Sequence, residues 1–200
     1  MHRHFLIYKP YRMLSQFMTN DRHQKNKRFL GELYDFPENA MAVGRLDEHS
    51  EGLLLITTDG QLSHHINKSG IVDKEYAALV DGLITEQAIE QLQNGVTISI
   101  NGSTYDTKPC QVQKPNQIPD LPETKQKIRD ERHGPTSWVN VTLSEGKFRQ
   151  VRKMTGVVGF PTLRLARVRI GPYNVLSLRN QQVIELSDQE IRSLFLYDNK

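Results

Sequence analysis

The feature that most constrains this chain is a polar segment enclosed by two apolar runs. Residues 42–43 lead into the segment and residues 53–57 lead out of it, and both runs have the aliphatic composition typical of strands. Asp47 therefore lies in a connection between strands, where a rigid sheet can aim a reactive carboxylate. Arg45 stands two positions earlier, on the same face if the first strand continues, and its guanidinium would favour the ionised carboxylate. The pattern predicts either a nucleophilic aspartate or a loop salt bridge.

Length and composition bound the class of protein. The 200 residues suit one sizeable domain or two closely packed lobes. The single cysteine, Cys110, excludes an internal disulfide, and the apolar run at residues 5–8 is too short for a signal peptide. No apolar stretch of the sequence approaches the ~20 residues of a membrane span. These observations predict a soluble, cytoplasmic protein that does not act at a membrane.

Basic residues are concentrated in two parts of the chain, although the net charge is only +3. Residues 2–28 contain seven lysines and arginines against one acid, and residues 144–170 again contain seven against one. Clusters of this kind bind the phosphates of a nucleic acid if they share a surface. The alternative is a solvated basic face with no partner.

Alternating strands and short helices predict an α+β protein. A helix is expected to start after Asp59 and to end at Gly70, and a second helix lies between the Thr85 cap and Gly95. A capping box that starts at Ser187 predicts a final, structural helix. The predicted strands are 5–8, 75–80 and 136–143. The first and last predicted helices are 61–67 and 188–196.

Residues 113–135 differ from the rest of the chain in composition. Four prolines punctuate a polar, charged run, so a packed strand is not expected there. We predict a long surface loop, either functional or merely flexible. The basic side chains that could bind RNA phosphates from this loop are Lys125, Lys127, Arg129 and Arg132.

The segment around Asp47 is long enough to identify a family. Residues 44–60 read G-R-L-D-x-x-S-E-G-L-L-L-x-T-x-D-G, which closely resembles the active-site motif of pseudouridine synthases of the RsuA type. The resemblance implies the catalytic fold of that family: a mixed, mostly antiparallel sheet in two packed lobes flanked by helices and loops, with residues 1–200 forming one catalytic domain. The other matching segments are Lys9-Pro10, Leu14-Ser15-Gln16, Lys74-Glu75-Tyr76, residues 145–154 (E-G-K-F-R-Q-V-R-K-M), residues 163–165 and Ile170-Gly171.

The family resemblance implies a reaction, the isomerisation of a uridine in RNA to pseudouridine. The C1′–N1 glycosidic bond breaks, the uracil turns, and C5 joins C1′, so the composition of the RNA is unchanged and no cofactor is demanded. A carboxylate can act as the nucleophile on C6 of the base or on C1′ of the sugar, and the sequence does not choose between them.

The resemblance also implies catalytic roles. Asp47 matches the nucleophile, Arg152 matches its ion-pair partner, and Tyr76 matches the tyrosine that stacks on the uracil and takes part in proton transfer. Without the resemblance, Arg152 would be interpreted as a phosphate contact and Tyr76 as a core residue.

Substrate contacts are implied in the same way. Leu165 matches the aliphatic residue that packs on the base, and Arg45 matches the residue that enters the stack left by the flipped nucleotide. From position alone, Leu165 would be core and Arg45 would brace the Asp47 loop. The remaining basic candidates are phosphate contacts at Lys147, Arg149 and Lys153, and phosphate or local structural contacts at Lys9 and Lys74.

Two departures from the family pattern affect the substrate prediction. Arg12 stands where the family has a glycine, so the first motif could turn differently. The catalytic motifs begin at Lys9, which leaves no room for the N-terminal S4 RNA-binding domain of many relatives. The chain therefore looks most like the RluE-type subgroup, which modifies 23S ribosomal RNA of the large subunit. The expected partner is ribosomal RNA, and the expected state is a monomer.

Other functions are less well supported by the sequence. A metal site is not expected, because His64 and His65 are adjacent on a predicted helix and point about 100° apart. Glu48 or Glu51 could in principle supply the second carboxylate of a glycosidase, but nothing else favours that chemistry. The alternatives that stay open are a catalytically silent RNA-binding factor in ribosome assembly and a synthase that acts on small-subunit ribosomal RNA or on tRNA.

Overall fold

The structure is a computed structural model that describes residues 2–19, 21, 26–70 and 72–196. The strands are β1 (His4–Lys9), β2 (Met41–Val43), β3 (Glu51–Thr57), β4 (Lys74–Asp81), β5 (Thr97–Ile100), β6 (Ser103–Asp106), β7 (Gln111–Gln113), β8 (Thr136–Leu143), β9 (Thr162–Ile170), β10 (Tyr173–Asn174) and β11 (Val183–Leu186). The helices are α1 (Gly60–Ser69), α2 (Glu86–Asn94), α3 (Gln150–Val157) and α4 (Asp188–Leu196). The chain divides into two compact units, one formed by Met1–Asp73 with Arg167–Lys200 and the other by Lys74–Ala166.

The first unit is built on the strand order β11-β1-β3-β9, with β2 paired to β3 and β10 paired to β9. Strand β1 is buried along its whole length because both of its faces are covered. Leu6 and Tyr8 enter one apolar cluster with residues of α1 and α4, whereas Phe5 and Ile7 enter a second cluster with Met13. Burial on both faces explains why β1 and β3 are almost continuously apolar.

The second unit has the strand order β9-β4-β8-β7 and a separate hairpin of β5 and β6. Strands β4 and β8 pair antiparallel along their whole length. Ala88 and Leu92 of α2 and Val151 and Met154 of α3 pack on the core residues of these strands. The 145–154 motif lies in the first turns of α3 and in the loop that precedes this helix.

The predicted α+β class and its local elements are confirmed. Asp59 accepts hydrogen bonds from Gln61 and Leu62 at the start of α1, and Gly70 ends that helix with a φ of 63°. Ser187 and Glu190 form the predicted capping box, since each side chain binds the other residue's backbone N–H. Strand β8 and helix α4 have the predicted bounds.

Residues 114–130 form no helix or strand, and a short 3-10 helix follows them at Glu131–His133. The segment is nevertheless held to the rest of the second unit. The guanidinium of Arg129 pairs with Asp81, and Arg164 donates to the Pro122 carbonyl at 2.7 Å. Arg132 pairs with Asp130. Two of the four basic side chains proposed to bind RNA are thus already engaged, and flexibility of the loop stays a prediction.

Candidate active site

The loop that carries Asp47 connects β2 to β3. Strand β2 ends at Val43, and Gly44 turns the chain with a φ of 72°. Arg45 is exposed in the loop rather than on a strand, so the condition under which strand alternation would place it on the same face as Asp47 is not met. The predicted position of Asp47 between two strands is confirmed, and its side chain is half-buried.

The hydroxyl of Ser15 fixes the backbone immediately before Asp47. It donates to the Leu46 carbonyl at 2.8 Å and accepts from the Leu46 N–H at 2.9 Å. On the other side of Asp47, the Ser50 N–H donates to the Asp47 carbonyl at 3.0 Å and closes a turn. Because both bonds of Ser15 are buried, the backbone at residues 46–50 has little freedom to move the carboxylate.

Lys9 is a buried cation close enough to this loop to interact electrostatically with it. Its Nζ donates to the carbonyls of Pro10 at 3.0 Å and Met13 at 2.6 Å. Burial lowers the pKa of Lys9 to about 7, although the negative charges of Glu51 and Asp47 oppose the shift. The side chain is fully buried, so the phosphate-contact alternative is wrong and the local structural contact is confirmed.

Arg12 connects the first motif to the Asp47 loop. It has a φ of 61°, in the left-handed region that glycine adopts without steric cost, so the backbone at Arg12 has the conformation that a glycine would favour. Its N–H donates to the Glu48 carbonyl at 2.8 Å, and the Glu48 carboxylate pairs with Lys27 at 2.8 Å. The loop is therefore held at Glu48 as well as at Leu46.

Gly52 explains why the motif requires a glycine at the start of β3. Its φ is 111°, and a Cβ at this position would overlap the backbone of Arg167 in β9. Arg167 is itself buried and donates from Nε to the Leu53 carbonyl at 2.7 Å. This structural role of Arg167 has no signal in the sequence, where Arg167 is only one more residue of the basic cluster at 144–170.

Tyr76 and Leu165 belong to the second unit. Tyr76 lies on β4 opposite Val141, is half-buried, and packs against the apolar cluster of this unit. Leu165 lies on β9 in the same cluster and is 5% exposed. Leu165 is therefore a core residue, as its position in the sequence alone indicated. Its contact with the base remains a prediction. Lys74 is half-buried at the start of β4.

Arg152 lies on α3, a helix that the sequence did not predict. The helix begins after Arg149, which has a φ of 53°. The guanidinium of Arg152 is half-buried, and its Nη1 donates to the Thr162 carbonyl at 3.2 Å. Asp47 and Arg45 belong to the first unit, whereas the other catalytic and base-contacting candidates belong to the second.

The loop before α3 is organised by Glu145. Its carboxylate accepts hydrogen bonds from Tyr105, from the Lys108 N–H and from Gln150. Burial alone would favour the neutral acid, but these hydrogen bonds outweigh it and hold the pKa of Glu145 below its usual value. Lys147 lies over the Tyr105 ring, 4.7 Å from its centroid. The loop is therefore anchored to the hairpin of β5 and β6.

Metal sites, membrane spans and the basic clusters can be examined only within the residues that the structure describes. Among the residues that the structure describes, no group of three His, Cys, Asp or Glu side chains could hold a metal ion, and no helix there could cross a membrane. Two members of the basic cluster at residues 2–28, Arg22 and Lys25, lie outside the described residues. Whether the two basic clusters share a surface stays a prediction.

Comparison with known proteins defines the family. A family model described as RNA pseudouridylate synthase matches residues 3–156. The chain belongs to this family and is an RNA pseudouridine synthase, an isomerase, as the motifs predicted. A solved pseudouridylate synthase covers 97% of the chain, and the chain covers 74% of it, with a TM-score of 0.74 and 24% identity, which confirms the fold.

Two curated relatives are named ribosomal large subunit pseudouridine synthase E. The one from Xanthomonas axonopodis pv. citri is 38% identical, over 86% of this chain and 88% of the relative. The one from Vibrio parahaemolyticus is 36% identical, over 89% of this chain and 71% of the relative. The chain is thus similar to this type of synthase over most of its length.

Proposed function

We propose that this chain isomerises a specific uridine of large-subunit ribosomal RNA, in bacteria the 23S RNA, to pseudouridine, with Asp47 as the nucleophile. The similarity to large-subunit synthases over 86–89% of the chain supports the substrate class. The observation that carries the role of Asp47 is its backbone, which is fixed by Ser15 on one side and by the Ser50 turn on the other. A fixed backbone is what a nucleophile needs to meet its target atom repeatedly.

The reaction conserves every atom of the nucleotide. The carboxylate of Asp47 forms a covalent bond to C6 or C1′ while the C1′–N1 bond breaks. After the uracil turns, C5 bonds to C1′, the Asp47 bond is released, C5 loses its proton and N1 gains one. No redox step occurs and no group is left on the RNA, so we propose that the chain needs no cofactor.

Tyr76 and Arg152 are proposed to support this chemistry. The Tyr76 ring stacks on the uracil, and its hydroxyl takes part in removing the C5 proton. The Arg152 guanidinium stabilises the ionised form of Asp47 when bound RNA excludes water. The half-buried positions of both side chains are consistent with rigid, partly desolvated groups that still reach a ligand.

The target uridine must leave its helical stack before it can react, at a cost of a few kcal/mol. We propose that the exposed Arg45 occupies the space that the base leaves, and that Leu165 contacts the flipped uracil. The proposed phosphate contacts are Lys74, Lys147, Arg149 and Lys153. We further propose that residues 1–200 act as one catalytic domain and as a monomer in the cytoplasm, where ribosomes are made.

The proposal is tested by mapping pseudouridine in ribosomal RNA from cells that lack this chain. The same cells are then supplied with the wild type or with Asp47→Asn at equal protein levels. We expect one large-subunit site to lose pseudouridine and to regain it only with the wild type. If no ribosomal site changes, the substrate class is wrong, and tRNA from the same cells is mapped next. If Asp47→Asn restores the site, the chain does not use this nucleophile.

A further inference from the structure

Phe148 is an exposed aromatic residue that the catalytic proposal does not use. It lies in the loop before α3, and 60% of its surface is accessible. A single exposed apolar side chain needs no explanation by itself. Phe148 is distinguished by its surroundings. Basic residues stand on both sides of it in the sequence, and a lysine ammonium group lies over its ring.

Three cations accompany the ring. The ammonium group of Lys153, one turn into α3, lies 5.0 Å from the centroid of Phe148, and it also donates to the Ser99 carbonyl at 2.6 Å. Lys147 and Arg149 are the sequence neighbours of Phe148. A cation at this distance from an aromatic ring is attracted to it and restricts its movement. The ring is therefore a fixed, flat apolar surface within a positive environment.

The backbone that presents Phe148 is also fixed. The Lys147 N–H donates to the Gln150 side chain at 2.9 Å, and the same side chain donates to Glu145 at 2.6 Å. The Gln150 N–H donates back to the Lys147 carbonyl at 3.1 Å. Binding a ligand on Phe148 would thus require little further ordering of the loop, which favours affinity.

We propose that Phe148 stacks on an unpaired base of the substrate RNA, outside the reacting uridine, while Lys147 and Lys153 contact the adjoining phosphates. This inference rests on the proposed function. The charge argues for this ligand, because single-stranded RNA offers a flat base and a negative backbone together, and proteins bind it with aromatic rings set among cations. An apolar peptide would match the ring but not the cations.

The test uses the full chain and a 12-nucleotide single-stranded RNA of mixed sequence. Trp138 is the single tryptophan, so the double variant Trp138→Phe/Phe148→Trp carries one tryptophan at the proposed site. We expect RNA to quench its fluorescence. We also expect Phe148→Ala to weaken binding about 5- to 100-fold, Phe148→Tyr to restore it, and the salt dependence of Phe148→Ala to stay as in the wild type. Lys153→Gln is expected to reduce the salt slope.

The matched control is Val157→Ala, which removes another exposed apolar side chain, 58% accessible, from the end of α3. It should bind RNA as the wild type does. Wild-type affinity in Phe148→Ala, or a tryptophan at position 148 that RNA does not quench, would overturn the proposal. The proposed function is measured separately, as wild-type pseudouridine formation in ribosomal RNA. If the wild type forms no pseudouridine, the proposed function is wrong. If the wild type is active and Phe148→Ala binds RNA as the wild type does, only the stacking role is wrong.

Discussion

The hydroxyl of Ser15 binds both backbone polar groups of Leu46, the residue immediately before Asp47, across 31 positions of sequence. We expect Ser15→Ala to slow isomerisation at saturating RNA by at least 10-fold, because the loop is then free to move the carboxylate away from its target atom. RNA affinity should be unchanged. Loss of two buried hydrogen bonds should lower the free energy of unfolding by about 1–3 kcal/mol. Single-turnover rates and urea unfolding measure the two effects.

Ser137 provides a matched control because it makes the same pair of bonds elsewhere. Its hydroxyl donates to the Gly82 carbonyl at 2.8 Å and accepts from the Ile84 N–H at 2.9 Å, within the second unit. Ser137→Ala should lose a similar amount of stability while it keeps its single-turnover rate. Equal rate losses in the two variants would mean that Ser15 acts on stability alone.

Buried Lys9 makes the stability of the chain depend on pH in an unusual direction. Its pKa is about 7 in the folded chain against 10.5 for an ordinary lysine, so between these values the unfolded chain holds a proton that the folded chain lacks. The contribution of Lys9 to stability therefore rises from pH 7 to pH 10.5, by up to a few kcal/mol, and is constant below pH 7.

The measurement is the difference in free energy of unfolding between the wild type and Lys9→Met from pH 6 to pH 10. We expect this difference to shift in favour of the wild type above pH 7. Lys114→Met, which removes an exposed lysine paired with Glu86, is the control for losing one lysine without losing a buried one. A pH-independent difference for Lys9→Met would show that the Lys9 ammonium is not destabilised by burial.

Tyr76→Phe keeps an aromatic ring on β4 and removes its hydroxyl. If the hydroxyl takes part in removing the C5 proton, the rate of product formation should fall by about 10²- to 10⁴-fold with RNA affinity unchanged. Deuterium in place of hydrogen at C5 of the target uridine should then slow turnover by Tyr76→Phe by a larger factor than it slows turnover by the wild type. A near-normal rate would leave Tyr76 with stacking as its only role.

The segment before β8 should bind RNA through its lysines rather than its arginines. Lys125 and Lys127 are exposed, whereas Arg129 pairs with Asp81. The double variant Lys125→Gln/Lys127→Gln should flatten the dependence of log affinity on log salt by about 0.7–0.9 for each true contact, with single-turnover rates unchanged. Arg129→Gln should instead lower thermal stability. If the lysine variant keeps the wild-type salt slope, the segment does not contribute to RNA binding.

The local parts of the fold were predictable because their signals lie within a few residues. Asp59 and Gly70 mark the ends of α1, and the Ser187 box marks the start of α4. Helix α3 was not predictable, since its start at Arg149 has a left-handed residue and no side-chain cap. The hairpin of β5 and β6 was missed as well, because only Ile98 on these strands is fully buried and the alternation is weak.

The site residues were identified by resemblance, but the contacts that fix them were not visible in the sequence. The double hydrogen bond of Ser15 to Leu46 and the close approach of Gly52 to Arg167 join positions far apart in the chain. The Lys9 amine binds nearby carbonyls, but its burial depends on the packing of the whole unit. Arg12 is instructive because the sequence shows only a departure from the family pattern. Its φ of 61° shows that the backbone has a conformation suited to glycine.

The central claim is that Asp47 is the nucleophile, and the most direct measurement is pseudouridine formation by purified Asp47→Asn in ribosomal RNA from cells that lack this chain. Glu48→Gln is the matched control, since it neutralises the next carboxylate of the same loop, one that pairs with Lys27. We predict no product from Asp47→Asn at wild-type RNA affinity, and turnover within a few-fold of the wild type from Glu48→Gln. Product formation by Asp47→Asn would contradict the account.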